Sequence, residues 1–268
     1  MASKFELRYK ENMDIPFFTI VIATCNSPDF LKKSLESIEA QQGVNVEVIL
    51  IDASVFDHCL EIAEQSKVVT QTYSMVNFHR YKMYNKGLQL ANGKYIHFFY
   101  SGDFFLSCTT LKQLQNLIEK TNDPDAVFGS GINYDMYDGR RKVKNPISKQ
   151  SLHLGMFATD LPACCFNVQK LKKMKGFNPD FIVRGGFELL SRYHTQTHMR
   201  FITTNRVLTD HQFMMPSLDE YVRYNLETPR IILKYFGFWN MLYYLITHNY
   251  FLILRYWGKS AYLSYQRK

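Results

Sequence analysis

The sequence predicts an α/β fold: a mostly parallel sheet flanked by helices, with a helical C-terminal tail. Three observations carry this. Apolar runs recur at Phe17 to Ala23 (FFTIVIA), Val46 to Ile51 (VEVILI) and Tyr95 to Tyr100 (YIHFFY). Stretches with apolar residues at helical spacing lie between them. The runs are also apolar almost throughout instead of alternating, as in strands covered on both faces by helices.

Each element follows from local chemistry. Phe17 to Ala23 is the first core strand, rich in β-branched residues. Asn26, Ser27 and Pro28 then supply a cap and a first-turn proline, and Leu31, Leu35 and Ile38 recur at helical spacing until Gly43 closes the helix. Val46 to Ile51 is a second buried strand ending at Asp52, and Asp57 to Ser66 resumes helical character. Such strand–helix–strand units close with a right-handed crossover. Val68 to Tyr73 reads as a short strand, Phe78 to Ala91 as a helix, and Tyr95 to Tyr100 as a strand ending in Ser101-Gly102-Asp103. Leu111 to Ile118 is a helix and Ala126 to Gly129 another short strand. From Asn133 to Lys149 the chain is polar, basic and turn-rich, a loop or a hairpin, and the alternation ends.

With 268 residues the chain is long enough for one large domain that needs no disulfide or metal staple. We expect a domain over residues 1–220, in two halves of about 16–130 and about 131–220, followed by a basic, aromatic tail over 221–268. The aromatic share of 15%, including 18 Tyr and 21 Phe, is high and needs a use. Cys25, Cys59, Cys108, Cys164 and Cys165 show no metal-ligand spacing, which favours a reduced compartment. The N-terminal MASKFELRYKENM has neither the apolar run nor the cleavage site of a secretory leader, so a cytoplasmic location is expected.

Candidate chemistry gathers at the strand ends, because ligands of an open parallel sheet bind beyond the carboxyl ends of its strands. Thr24, Cys25 and Asn26 end the first strand, Asp52, Ala53 and Ser54 the second, and Ser101, Gly102 and Asp103 the YIHFFY strand. A pyrophosphate in such a crevice calls for a divalent cation, and the hard carboxylate of Asp103 suits Mg²⁺ or Mn²⁺.

TIVIATCN, EVILID and NKGLQLANGKYIHFFYSGD together resemble the donor half of glycosyltransferase family two, of GT-A (Rossmann-like) fold. The resemblance runs from about Pro16 to about Ser217. It implies that Thr24, Asn26 and Asp52 hold the nucleotide, that Ser101, Gly102 and Asp103 form the acidic motif in its serine-glycine-aspartate version, and that Asp103 binds the metal, with His211 completing a metal or diphosphate contact. In NKGLQLANG the glycines permit close packing ahead of the metal strand. LPACCFNVQKLKKMKGFNPDF and VRGGFELLSRY resemble the acceptor region. Many relatives place the catalytic aspartate where this chain has Gly186. An inverting transfer needs a carboxylate near the acceptor hydroxyl, and Glu188 is the nearest substitute, with Asp180 and Asp160 as alternatives.

The implied activity is transfer of a hexosyl or N-acetylhexosaminyl group from a nucleotide sugar, a UDP-sugar by expectation, to a glycan or lipid-linked hydroxyl in surface polysaccharide synthesis. The alternative, motivated by Gly186 and by Ala53 in place of a second acid, is a catalytically impaired nucleotide-sugar binder or scaffold.

Net charge is +8, and from Pro229 to Lys268 the cations Arg230, Lys234, Arg255, Lys259, Arg267 and Lys268 occur with no Asp or Glu. Between Ile231 and Tyr265 the tail mixes aromatic and aliphatic residues with those cations, in runs too short or too interrupted for a clear transmembrane span. Two readings stay open: an interfacial segment on the inner membrane leaflet with Trp239 and Trp257 at headgroup depth, or helices that cap the sheet or form a dimer interface. Nucleic-acid binding is the weakest reading, because the charge accompanies apolar residues and no nucleic-acid module is present. Nothing in the sequence sets an oligomeric state.

Overall fold

The computed structural model describes residues 15–134, 141–146, 152–155, 161–195, 199–211 and 217–249. β1 (Phe18–Thr24), α1 (Pro28–Glu39), β2 (Val46–Asp52), α2 (His58–Gln65), β3 (Val69–Ser74), α3 (Arg80–Leu90) and β4 (Tyr95–Tyr100) alternate strictly. β1 lies between β2 and β4, all parallel, and β3 adds to the outer edge of β2. The second half completes the sheet with β5 (Asp103–Phe105), β6 (Ala126–Tyr134), β7 (Arg141–Lys144), β8 (Cys164–Asn167) and β9 (Phe201–His211). Its helices are α4 (Thr110–Lys120), α5 (Val168–Lys173), α6 (Gly185–Thr195), α7 (Leu218–Phe236) and α8 (Phe238–Tyr244). Strand order is β3-β2-β1-β4-β8-β6-β9-β5, with β7 paired to β6.

The α/β prediction therefore stands, and each element expected between residues 17 and 129 has its counterpart. Two details differ. β6 runs five residues past the expected Gly129 and pairs antiparallel with β7, so the described part of the basic stretch is a hairpin. β5 was not foreseen, since three residues are too few to show a period. It pairs with β9 and sets Asp103 opposite His211.

Burial on both faces explains the continuous apolar runs. Side chains alternate across a strand, so Phe18, Ile20 and Ile22 of β1 join Leu31, Leu35 and Leu111 on the α1/α4 side, while Val21 and Ala23 face Tyr84 and Leu88 of α3. Burial of each large apolar side chain contributes about 1.5–3 kcal/mol. Gly87 is a condition of this packing, because a Cβ there would lie 2.3 Å from Val21 Cγ1. The aromatic surplus fills the layer beyond α3: Phe98 meets Phe177 at 4.8 Å and Tyr84 at 5.0 Å between ring centroids.

His97, fully buried in β4, sits among Phe18, Phe99 and Phe105, with the Pro162 carbonyl 3.4 Å from Nδ1. Burial pushes its pKa from 6.5 down to about 4. The folded state thus holds the neutral ring, and between those values the unfolded chain binds the extra proton. Stability is accordingly constant above pH 6.5 and falls as pH drops toward 4, by about 3 kcal/mol at most from this group. Urea midpoints of wild type and His97→Phe across that window should show a steeper decline for wild type; parallel curves would refute the assignment.

The division expected at residue 220 falls inside the first turn of α7, which opens with a Ser217/Glu220 capping box. Ile231 and Ile232 of α7 and Tyr244 of α8 are buried in the same core as Phe98 and Phe177. The start of the tail is thus part of the domain. Among the described residues no helix is long and apolar enough to cross a membrane; residues 250–268, including Trp257, lie outside them.

Candidate functional site

Register decides what the strand ends share. Asp52 of β2 pairs with Thr24 of β1, and Ala23 pairs with Tyr100 of β4, so Asp52, Asn26 and Ser101 leave three adjacent strands at one level. Neighbouring strands lie about 4.8 Å apart, so the row spans about 10 Å.

At one end of the row the β1 and β2 loops are tied together. Asp52 Oδ1 accepts the Ser54 hydroxyl at 2.6 Å and the Ser54 N–H at 3.1 Å. Ser54 Oγ in turn accepts the Asn26 N–H at 2.7 Å, and Asn26 Oδ1 accepts the Val55 N–H at 3.0 Å. Asn26 has a φ of 49°, a left-handed conformation that asparagine tolerates better than most residues. Beside this lattice lies a pocket of about 280 Å³ lined by Asn26, Pro28, Phe56, His58 and Cys59. That volume is below the usual range for a whole ligand, so a nucleotide sugar seated there would continue along the crevice. Phe56 projects with 69% of its surface exposed. Ser54 belongs to the strand end expected from the sequence, whereas Phe56 and His58 were not named from it.

Thr24 is a correction. It is fully buried, and its hydroxyl meets Cys59 Sγ at 3.6 Å. The alternation of β1 turns it beneath the crevice, so it supports the floor and presents no surface to a ligand.

At the other end, Gly102 has a φ of 101°, open to glycine alone at little cost, and its N–H donates to Ser34 Oγ at 2.9 Å. This turn brings Asp103 back so that Oδ2 accepts the Tyr100 N–H at 2.6 Å. The Ser101 hydroxyl is buried with no hydrogen-bond partner among the described residues. An orphaned hydroxyl two residues from a carboxylate makes a hard oxygen donor set, which fits a cation that takes its remaining ligands from a diphosphate and water. Among the described residues no cluster of three or more His, Cys, Asp or Glu that could hold a metal ion forms. His211 is placed by its backbone, opposite Asp103; its side chain lies outside the described set.

Arg80 is a candidate site residue the sequence did not disclose. Its guanidinium lies over the Tyr100 ring at 4.6 Å. Burial works against its charge, yet Tyr84, Tyr81, Tyr100 and Asp103 outweigh it and raise the pKa above the usual arginine value. A fixed cation therefore stands beside the acidic motif. Its signal was missing because it opens a helix 20 residues before the strand end it joins in space.

Glu188 sits elsewhere in kind. It is 1% exposed, Oε2 accepts Arg192 Nε at 3.0 Å, and Oε1 accepts the Tyr235 hydroxyl at 2.5 Å with Lys234 Nζ 3.8 Å away. Both oxygens are engaged, the arrangement of a structural ion pair. Arg192 carries the link onward to the carbonyls of Met174 and Gly176. Asp180 is exposed, and Asp160 lies outside the described residues. A further carboxylate, Glu227 of α7, accepts the N–H groups of Ile182, Val183 and Arg184 at 2.9, 3.1 and 2.7 Å. It thereby fixes the loop entering α6 at the end where a helix favours negative charge.

A model of the family described as glycosyl transferase family 2 matches residues 19–174. The chain belongs to glycosyl transferase family 2. The matched span holds Asn26, Asp52 and Ser101 to Asp103, and stops before Glu188 and His211. Among relatives, a PGL/p-HBAD biosynthesis glycosyltransferase of Mycobacterium bovis is 29% identical over 126 residues, 45% of this chain and 48% of that protein. An uncharacterized glycosyltransferase of Haemophilus influenzae is 30% identical over 111 residues, 40% of this chain and 44% of that one. The chain thus matches under half the length of either relative. Among solved structures, Staphylococcus aureus TarS 1-349 superposes with a TM-score of 0.62 at 17% identity, covering 81% of this chain and 66% of that one. The mannosyltransferase PcManGT from Pyrobaculum calidifontis, in complex with GDP-Man and Mn²⁺, gives 0.57 at 14%, covering 93% and 80%. At such identities the likeness is one of fold, and the fold of this family 2 member is GT-A.

Proposed function

We propose that this family 2 member transfers a sugar from a nucleotide-sugar donor to a hydroxyl of a glycan or lipid-linked acceptor. The observation that carries the reading is the shared level of three strand ends, which lines up the Asp52–Ser54–Asn26 lattice with Ser101 and Asp103. The base and ribose would lie at the first end, where the pocket beside Phe56 opens, and the diphosphate at the second. Ser101 and Asp103 would hold a divalent cation, Mg²⁺ or Mn²⁺, with His211 as a further ligand; such an ion supplies charge stabilisation to the departing diphosphate. Arg80 adds a fixed positive charge on the same side. The acceptor oxygen bonds to the anomeric carbon as its bond to the diphosphate breaks, and the hydroxyl proton passes to a base, with inversion at that carbon. A UDP-sugar donor, and a role in surface polysaccharide synthesis on the cytoplasmic face of a membrane, are the finer parts of the proposal.

Calorimetric titration with UDP, GDP and dTDP, each with and without Mn²⁺, tests this directly. Metal-enhanced binding of one nucleotide is expected, and absence of binding by folded protein removes the donor site. In the same titration Arg80→Ala should weaken binding by about 2 kcal/mol, the value of a hydrogen bond to a charged group. An unchanged affinity would take Arg80 out of the site.

A second reading is favoured by one observation. By the family resemblance Gly186 falls where many relatives have the catalytic aspartate, and the neighbouring carboxylate, Glu188, has both oxygens engaged. The chain would then bind donor without turning it over, and detection of transfer to any acceptor ends that reading.

A further inference from the structure

Helix α7 is apolar on two sides. With 3.6 residues per turn, Leu218, Val222, Leu226 and Leu233 fall within an arc of about 80°, centred about 140° around the axis from the buried group Asn225, Glu227, Thr228, Ile231 and Ile232. The inner group packs into the domain, whereas Leu226 is 68% exposed. α8 repeats the arrangement: Tyr244 is buried, while Phe238, Tyr243 and Trp239, the last 78% exposed, face out. A single exposed leucine is ordinary, but two consecutive helices that both turn leucine and aromatic side chains outward concentrate exposed apolar surface in one stretch of the chain.

We propose that this outward face of α7 and α8 docks on an anionic lipid bilayer. Charge selects that occupant. Asp219 is paired with Arg223 at 2.6 Å, and beyond Glu227 the chain has no further acid while Arg230 and Lys234 lie along one edge of the exposed arc. Both of these cations are exposed, Lys234 with its Nζ 3.8 Å from Glu188 at the rim of the arc. A two-fold pairing with a second copy would set the same cations against themselves, because such an interface meets its own patch. A bilayer carrying anionic headgroups complements them, and tryptophan and tyrosine are side chains suited to headgroup depth. The outward face thus lies flat on the surface without crossing it.

The inner side of the same helix gives the docking a consequence. Glu227 holds the 182–184 loop and Tyr235 bonds Glu188, so α7 joins the bilayer face to the acceptor side of the fold. Only this consequence, access to a lipid-linked acceptor, rests on the proposed function; the docking stands apart from it.

The test is flotation of the full chain with vesicles of zwitterionic lipid alone and with about one third anionic lipid. Wild type should float with the anionic vesicles and only weakly with the neutral ones. Leu226→Glu and Trp239→Glu should each cut the partition coefficient by about tenfold or more, as expected on removing one apolar anchor. Both should keep the wild-type thermal midpoint and nucleotide titration, which shows that the fold is intact. Wild type that fails to float, or partition unchanged in both variants, overturns the proposal. So does sedimentation of wild type as a dimer that Leu226→Glu disperses, which would give the face to a second copy. Nucleotide binding is read separately in wild type, so failure of the donor reading leaves its own trace.

Discussion

An Asp103→Asn variant should lose sugar transfer by at least about a hundredfold, the scale seen when a group that stabilises a departing anion is removed. The reason is arithmetic of charge. The acidic motif has serine at its first position, so Asp103 is the one carboxylate between Ser101 and Asp103, and a diphosphate beside it needs a cation held there. Asparagine keeps the volume and still accepts the Tyr100 N–H that Oδ2 now accepts at 2.6 Å, so the turn at Gly102 should persist. Asp103→Ala removes that bond as well and should add a loss of thermal stability. Release of nucleoside diphosphate, followed with and without added Mn²⁺, is the measurement. Full activity in Asp103→Asn would move the diphosphate out of this crevice.

Replacing Glu188 by alanine is expected to destabilise the fold by about 3–5 kcal/mol, because it leaves a partner charge buried without its counter-ion. That charge is Arg192, whose side chain is 15% exposed. Its guanidinium also serves the carbonyls of Met174 and Gly176, so the damage spreads to the turn before α6. Glu188→Gln separates structure from chemistry. If Glu188 is a positioning residue, urea midpoints fall while turnover per folded molecule stays near wild type. If it is the base, turnover falls by about 10²–10⁴ with the midpoint held, the range for loss of a general base. The two oxygens' present partners lead us to expect the first outcome.

The parts of the site that the sequence made legible are those written at strand ends. Asp52 follows its apolar run directly and Asn26, Gly102 and Asp103 stand within three residues of theirs, and in a parallel sheet the residues after the run are at the ligand-binding edge. Thr24 shows the limit of that rule: it belongs to the same strand end, and one step of the alternation puts it under the floor. Arg80 and Glu227 were not legible, because nothing within a few residues of either marks it. Arg80 reaches Tyr100 only after a helix and a crossover, and Glu227 reaches the 182–184 loop across more than 40 residues.

The tail divides in the same way. Its composition, cations with aromatic and aliphatic residues and no acid after Glu227, comes from the sequence alone and left both an interfacial and a capping reading open. In the fold one side of α7 and of α8 fills the core, as the capping reading expects, and the other side is exposed. By itself, then, the sequence determined the order and kind of elements, their two-sided burial and the acidic strand ends, since period and composition are local properties. Strand register, the partners of Glu188 and Glu227, the place of Arg80 and the outward face of α7 were decided by tertiary structure. Each is a relation between segments distant along the chain, and it exists only once the sheet has brought them together.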